Sequence, residues 1–230
     1  MSIFEGLKMP RVIYEVESKY NGNVKVVEVG STRKILVDDV SQSISCNSPS
    51  ISKLYWGQLV DSLKEKSPDV KNVLILGLGG GTLVHLISKN FPEAKITSVE
   101  WDPVMVDIAK KYFNLDSVHE HRVIIDDALK VIVEPEEYNI PLGSFDVLIV
   151  DILNGSAYPD LGKTGNFIAA LKKLVSPNGL IIFNRIYTED YQDDVNLFID
   201  YVESFLGETE LEVVAGYTNS DNILIFGKVK

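Results

Sequence analysis

Between residues 73 and 82 four apolar residues, Val73-Leu74-Ile75-Leu76, run straight into Gly77-Leu78-Gly79-Gly80-Gly81-Thr82. No other stretch restricts the fold so tightly. Apolar residues at helical spacing follow it, at Leu83, Leu86, Ile87 and Phe91. The whole reads as a buried parallel strand, a tight turn and a helix N-terminus. Glycines there let the backbone approach a ligand closely. The first N–H groups of the helix have no intrahelical partner and point at that ligand. The spacing is G-x-G-x-G. Thr82 stands where a dinucleotide loop has its third glycine, which counts against a nicotinamide cofactor.

The chain then alternates strand and helix. Ala94 to Val99 is a second strand ending at Glu100. An acid about 20 residues beyond such a loop can hold both ribose hydroxyls of a nucleoside. Asp102-Pro103 opens a helix with Val104, Ile108 and Tyr112 inward, so Asp102 reads as an N-cap rather than a catalytic acid. Val123 to Ile125 is a third strand, ending in Asp126-Asp127-Ala128, and a short helix spans Ala128 to Val133. Phe145 to Val150 is a fourth buried strand, ending at Asp151. A helix through Phe167, Leu171 and Val175, a strand from Leu180 to Phe183 and a helix through Val195, Phe198 and Val202 follow. Two strands, near Leu211–Val214 and Asn222–Val229, close the chain. This order predicts an α/β fold with a doubly wound, mostly parallel seven-stranded sheet, Rossmann-like. Ligands bind such sheets at the carboxyl ends of the strands, where the glycines, Glu100, Asp126, Asp127 and Asp151 all fall.

Residues 10 to 40 differ. Val12-Tyr14-Val16 alternate, Asn21-Gly22-Asn23 turns, Val24 to Val29 resumes, Gly30-Ser31 turns again and Ile35-Leu36-Val37 follows. This predicts a β-meander of about three strands. Asp38 to Ser50 reads as polar and turn-rich. Ile51 to Leu63 has helical spacing and ends before Ser67-Pro68-Asp69. The expected division is a small β-unit with its connecting helix over 1–68 and a ligand-binding domain over 69–230.

A net charge of −11 argues against a nucleic-acid partner. No apolar run reaches the ~18 residues of a membrane helix, and Met1 to Arg11 has no signal-peptide centre. A cytoplasmic location is expected, with no membrane partner. The single cysteine, Cys46, excludes an intrachain disulfide and a cysteine-based zinc site; it reads as incidental. His85, His119 and His121 lack metal-ligand spacing and read as surface or helix residues, so no metal is expected. No Lys or Arg lies between Arg185 and Lys228, and such an acidic surface tolerates a cationic substrate.

At these residues the chain resembles the class I S-adenosylmethionine-dependent methyltransferases, and within them the spermidine synthase family. The resemblance covers nearly the whole chain. It is carried by the meander, Val40-Ser41-Gln42, Gly77–Thr82, Val99-Glu100-Trp101-Asp102, Asp126-Asp127-Ala128 and Asp151, in the family's order and spacing. It implies S-adenosylmethionine, or its decarboxylated form, as cosubstrate. Gly77, Gly79, Gly80 and Gly81 would then lie near the sulfonium side chain. Glu100 would bind the ribose hydroxyls, with Gln42 reaching the ribose from the small unit. Trp101 would lie on the adenine face, unless it is a core tryptophan. Asp127, beside Asp126 and Ala128, would take the adenine amino group, and Asp151 would stand at the reacting centre. The family implies a homodimer.

The chain also departs from the family. Spermidine synthases carry an aspartate in the glycine loop where this chain has Gly80. They carry Asp-Ser-x-Asp where it has Asp151-Ile152-Leu153-Asn154. The family's Asp-Glu and Tyr-His pairs before the loop are replaced by Asn47-Ser48-Pro49-Ser50-Ile51 and Tyr55-Trp56. Polyamines and the decarboxylated cosubstrate need carboxylates against their ammonium groups. The expectation is therefore methyl transfer to a small-molecule acceptor, an amine among the candidates. The alternatives are an aminopropyltransferase recruiting Asp160, Glu189 or Asp190 beside a lid at 155–163, and a non-catalytic nucleoside-binding module.

Overall fold

The computed structural model describes residues 9–152, 165–188, 192–207, 209–216 and 221–230. The lid at 155–163 and the candidates Asn154, Asp160, Glu189 and Asp190 lie outside these residues.

The N-terminal sheet has four antiparallel strands in chain order: β1 (Arg11–Ser18), β2 (Gly22–Val29), β3 (Thr32–Val37) and β4 (Val40–Ile44). Periodicity predicts only the first three. Strand β4 escapes it because its side chains include Ser41, Gln42 and Ser43, and because its turn is unusual. Asp38 and Asp39 both take positive φ, 47° and 64°, and so form the two-residue hairpin turn that Asn-Gly usually makes.

A helix, α1 (Tyr55–Lys66), leads to the second sheet. Then come β5 (Asn72–Leu76), α2 (Thr82–Asn90), β6 (Lys95–Glu100), α3 (Pro103–Phe113), β7 (His121–Ile125), α4 (Ala128–Val133) and β8 (Phe145–Val150). The chain ends with α5 (Gly165–Leu174), β9 (Val175–Tyr187), α6 (Gln192–Leu206), β10 (Thr209–Val214) and β11 (Asp221–Lys228). The seven strands lie in the order β10-β11-β9-β8-β5-β6-β7. From β9 to β7 all pairings are parallel, while β10 and β11 are antiparallel. The direction of winding reverses at β5, with β6 on one side and β8 on the other; this switch point is where an open α/β sheet has its crevice. Strand β9 continues past the expected end at Phe183, because β11 pairs with it as far as Tyr187.

Alternate residues of the large sheet feed two cores. Val73, Ile75, Ile96, Val147 and Ile182 pack with α1 and α2, including Leu59, Val60 and Leu63 of α1. Leu74, Leu76, Leu148, Ile181 and Phe183 pack with α4, α5 and α6. Helix α3 joins the two sheets. Its Met105, Ile108 and Phe113 fill a third cluster with Val24, Val26, Ile35 and Val37. Burying an aliphatic side chain of this size contributes about 1.5–3 kcal/mol, so this seam is a substantial one. Polar contacts reinforce it. The Thr82 hydroxyl, at the start of α2, donates to Ile44 O (2.6 Å) and lies 2.6 Å from Ser43 Oγ. Asp102, wholly buried, accepts from Ser18 Oγ and from Asn21 Nδ2 (2.6 Å) as well as capping α3 through Val104 N–H (2.9 Å).

Two minor expectations change. His85 lies on helix α2 as expected, its Nε2 donating to Phe113 O (2.7 Å), whereas the partly buried His121 opens β7, its Nε2 2.8 Å from Ser98 Oγ, with burial pushing the ring pKa down to about 4. Cys46 sits half-buried against the first core rather than in open polar chain, and burial raises its thiol pKa. Among the described residues, no helix is long and apolar enough to cross a membrane, and no group of His, Cys, Asp and Glu is placed to hold a metal.

Candidate active site

One cleft of about 1040 Å³, mouth included, runs along the carboxyl ends of the strands. Gln42, Gly77, Gly79, Glu100, Trp101, Asp126, Asp127, Ala128 and Asp151 all line it. Gly80 and Gly81 are not in its wall. A Cβ on Gly80 would meet Ser43 Oγ at 3.0 Å and Ile35 Cδ1 and Phe113 Cδ1 at 3.2 Å, so the absent side chain faces the seam with the small sheet. A Cβ on Gly81 would lie 2.7 Å from Leu115 Cδ1. These two glycines let the loop sit down on its support. Gly77 serves the site differently. Its φ is 97°, and a Cβ there would lie 2.3 Å from Asp151 O. Only glycine allows the ends of β5 and β8 to run so close.

Glu100 ends β6 beside the loop and is 8% exposed. Its Oε1 accepts from Asp102 N–H (3.0 Å) and its Oε2 from Leu78 N–H (3.2 Å). Burial raises its carboxyl pKa to about 7 against the opposing pull of those backbone donors. A carboxylate can take about four donors, so acceptor capacity remains at the cleft wall for hydroxyls. Trp101 is 38% exposed and sits at the lip of the cleft, which overturns the core-tryptophan alternative. Its ring lies 5.4 Å from that of Tyr20, in the β1–β2 turn. The neighbouring Asn21, missed in the sequence, also lines the cleft.

Asp127 caps α4, its Oδ1 accepting from Leu129 N–H (2.7 Å) and Lys130 N–H (3.3 Å). Asp126 is occupied by its own chain. It accepts from Tyr138 OH (2.7 Å), from Asp127 N–H (2.8 Å) and from Lys130 Nζ (3.3 Å), which together hold its carboxyl pKa below the usual range.

At the other end stands Asp151. Burial raises its carboxyl pKa, while Asn184 and then Tyr55 oppose the rise. Asn184 Nδ2 donates to Oδ1 (2.7 Å), and Tyr55 OH lies 3.2 Å and 3.0 Å from the two oxygens. Asn222 Nδ2 in turn donates to Asn184 Oδ1 (2.9 Å), which fixes the carboxamide with its NH₂ toward the carboxylate. Sequence reading missed Tyr55, Asn184 and Asn222 as site residues. Tyr55 registered as part of a helical stretch and of the Tyr55-Trp56 departure from the family, not as a partner of Asp151, and Asn184 lay beyond the expected end of its strand.

Comparison with known proteins agrees with this frame. A model of the spermine/spermidine synthase domain matches residues 52–225. The chain is 32% identical over 137 residues to an eEF1A lysine and N-terminal methyltransferase homolog of Drosophila pseudoobscura pseudoobscura, covering 58% of this chain and 20% of that protein. It is 31% identical over 127 residues to a polyamine aminopropyltransferase of Vibrio vulnificus, covering 55% and 42%. The chain thus spans well under half the length of these relatives. Among solved structures, a probable spermidine synthase from Corynebacterium glutamicum superposes with a TM-score of 0.77 at 16% identity, over 96% of this chain and 81% of that one. Human methyltransferase-like protein 13, solved with SAH, superposes at 0.57 with 21% identity, over 79% of each chain. These structural likenesses show the fold.

Proposed function

The chain belongs to the spermine/spermidine synthase domain family, and from that premise we propose that it binds S-adenosylmethionine and moves its methyl group to an amine nitrogen held by Asp151. Glu100 takes the ribose hydroxyls, Gln42 approaches from the small sheet, Trp101 covers the adenine and Asp127 receives its amino group. Gly77 and Gly79 border the sulfonium side chain. Bound there, the sulfonium supplies an activated methyl carbon. The protein's share is to bring an acceptor into line and hold its proton, and proximity alone can supply several kcal/mol of the barrier. Asp151, partly buried and with its carboxyl pKa raised by desolvation, is suited to taking that proton.

The observation that carries methyl over aminopropyl transfer is the shortage of carboxylates, among the described residues, around the glycine turn and Asp151. Position 80 offers none, and its Cβ direction points into the seam rather than the cleft. An intact cosubstrate carries a carboxylate that suits bare loop N–H groups; the decarboxylated one carries only an ammonium there and needs an acid. Side-by-side calorimetric titration with S-adenosylmethionine, its decarboxylated form and methylthioadenosine tests this. At least tenfold preference for the intact cosubstrate is expected. Preference for the decarboxylated form would establish the alternative, aminopropyl transfer, which the likeness to the Vibrio vulnificus aminopropyltransferase favours. The same reading takes the protein as a cytoplasmic homodimer acting on a small molecule, with no nucleic-acid or membrane partner; sedimentation at twice the chain mass is the expected result.

A further inference from the structure

The cleft has two chemically different ends. Toward β6 and β7 its polar groups gather, with Asn21, Gln42, Glu100, Asp126 and Asp127 beside Val99, Trp101, Met105 and Ala128. On the side of α1 and α2 the wall is apolar, with Tyr55, Trp56, Ile75, Leu78, Leu83 and Val84. Each of these is at most 7% exposed, and all belong to the first core cluster. Tyr55 and Trp56 lie with ring centroids 4.1 Å apart, and the Tyr55 hydroxyl is turned to the Asp151 carboxylate. Among the described residues, Asp151 is the one carboxylate in this half of the wall. A charge carried past it would enter an apolar chamber, and an unpaired ammonium there costs several kcal/mol.

Resting on the transferase reading above, we infer that the acceptor is a monoamine with an aromatic or branched aliphatic body, its nitrogen at Asp151 and its body against Tyr55 and Trp56. The ammonium R–NH₃⁺ first gives one proton to the Asp151 carboxylate. The nitrogen lone pair of R–NH₂ then forms the new C–N bond to the methyl carbon of the sulfonium nucleoside. The C–S bond breaks with its electron pair on sulfur, leaving a neutral thioether and R–NH₂⁺–CH₃, and the Asp151 proton returns to solvent. A flat body gains from the aromatic pair beyond its buried area. A diamine gains nothing there and strands its second charge.

Calorimetry with methylthioadenosine already bound separates this inference from the one beneath it. Benzylamine and putrescine are titrated into that complex, first with the wild-type chain and then with Trp56→Ala. Benzylamine is expected to bind at least tenfold tighter than putrescine, and Trp56→Ala to lose about tenfold for benzylamine while putrescine stays unchanged. Equal binding, preference for putrescine, or no binding of either amine overturns the acceptor class. Should the wild-type chain fail to bind methylthioadenosine at all, it is the nucleoside reading that falls. If Trp56→Ala fails to fold, the wild-type ratio of the two amines still decides.

Discussion

Glu100 and Asp151 are both acids at strand tips, the first buried and the second partly so, on opposite sides of Gly77. They are held in opposite ways. Glu100 is fastened by backbone N–H groups of Leu78 and Asp102, which the glycine turn and its own strand end deliver. Asp151 is fastened by side chains of Tyr55 and Asn184, 96 and 33 positions away in the chain. Backbone donors come with the fold and constrain few neighbouring side chains. Side-chain donors can be exchanged one at a time, so the surroundings of Asp151 can diverge while those of Glu100 stay constant. Tyr55-Trp56, where the family has Tyr-His, lies on the variable side of that division.

The comparison predicts a graded series. The largest effect is expected from Asp151→Asn, which removes the proton acceptor: turnover should fall by about 10²–10⁴ while calorimetry shows the nucleoside still bound. Loss of both together would mean that the two ends are one unit. Next is Glu100. With a pKa of about 7 it is half-protonated near neutrality, and only the carboxylate accepts from both hydroxyls. Nucleoside affinity should rise about tenfold from pH 6 to pH 8, and Glu100→Gln should abolish that slope. The sign for stability is the reverse. The folded state holds this proton more tightly than the unfolded chain, so the stabilisation is fullest below pH 4.5 and disappears as pH rises through about 7. Thermal melting of the unliganded protein followed across that window checks it, and Glu100→Gln should flatten this dependence too.

Smaller effects separate the supports. Asn184→Ala removes a donor from Asp151 and should move its ionisation further up, shifting the acid limb of the turnover profile to higher pH while kcat falls roughly tenfold. An unmoved limb with lower kcat would reduce Asn184 to packing. Asn222→Ala should have the mildest version of the same shift, a few-fold at most, because it acts on Asp151 only through the Asn184 carboxamide.

What could be read in advance follows the same line. The placing of Glu100 and the glycine turn at the cleft was legible because its parts are local: a strand, a glycine turn and an acid at the next strand tip follow one another in the chain. Asp102 was legible as a cap, since Asp-Pro states a helix start, but its bonds to Ser18 and Asn21 were not, because nothing local marks a contact across 84 positions. Strand β4 was hidden by its polar side chains, and with it the seam that turns Gly80 away from the cleft. Asn184 was hidden by one misjudged strand end. The continuous apolar run of β9 is broken after Phe183 by Asn184 and Arg185, but β11 keeps the strand in the sheet to Tyr187. Periodicity reports burial, and pairing with a later strand leaves no trace in it.

The bond from Thr82 to Ile44, with the docking of Ile35 and Val37 on α3, also has a consequence for synthesis. The small sheet emerges from the ribosome before the large one, with one of its faces apolar. The helix that covers that face ends only at Phe113, about seventy residues after β4 is complete. At the usual 5–20 residues per second this is an exposure of roughly 4–14 s. For that interval the nascent chain carries Val24, Val26, Ile35 and Val37 uncovered, as a client for whatever chaperones wait at the exit tunnel.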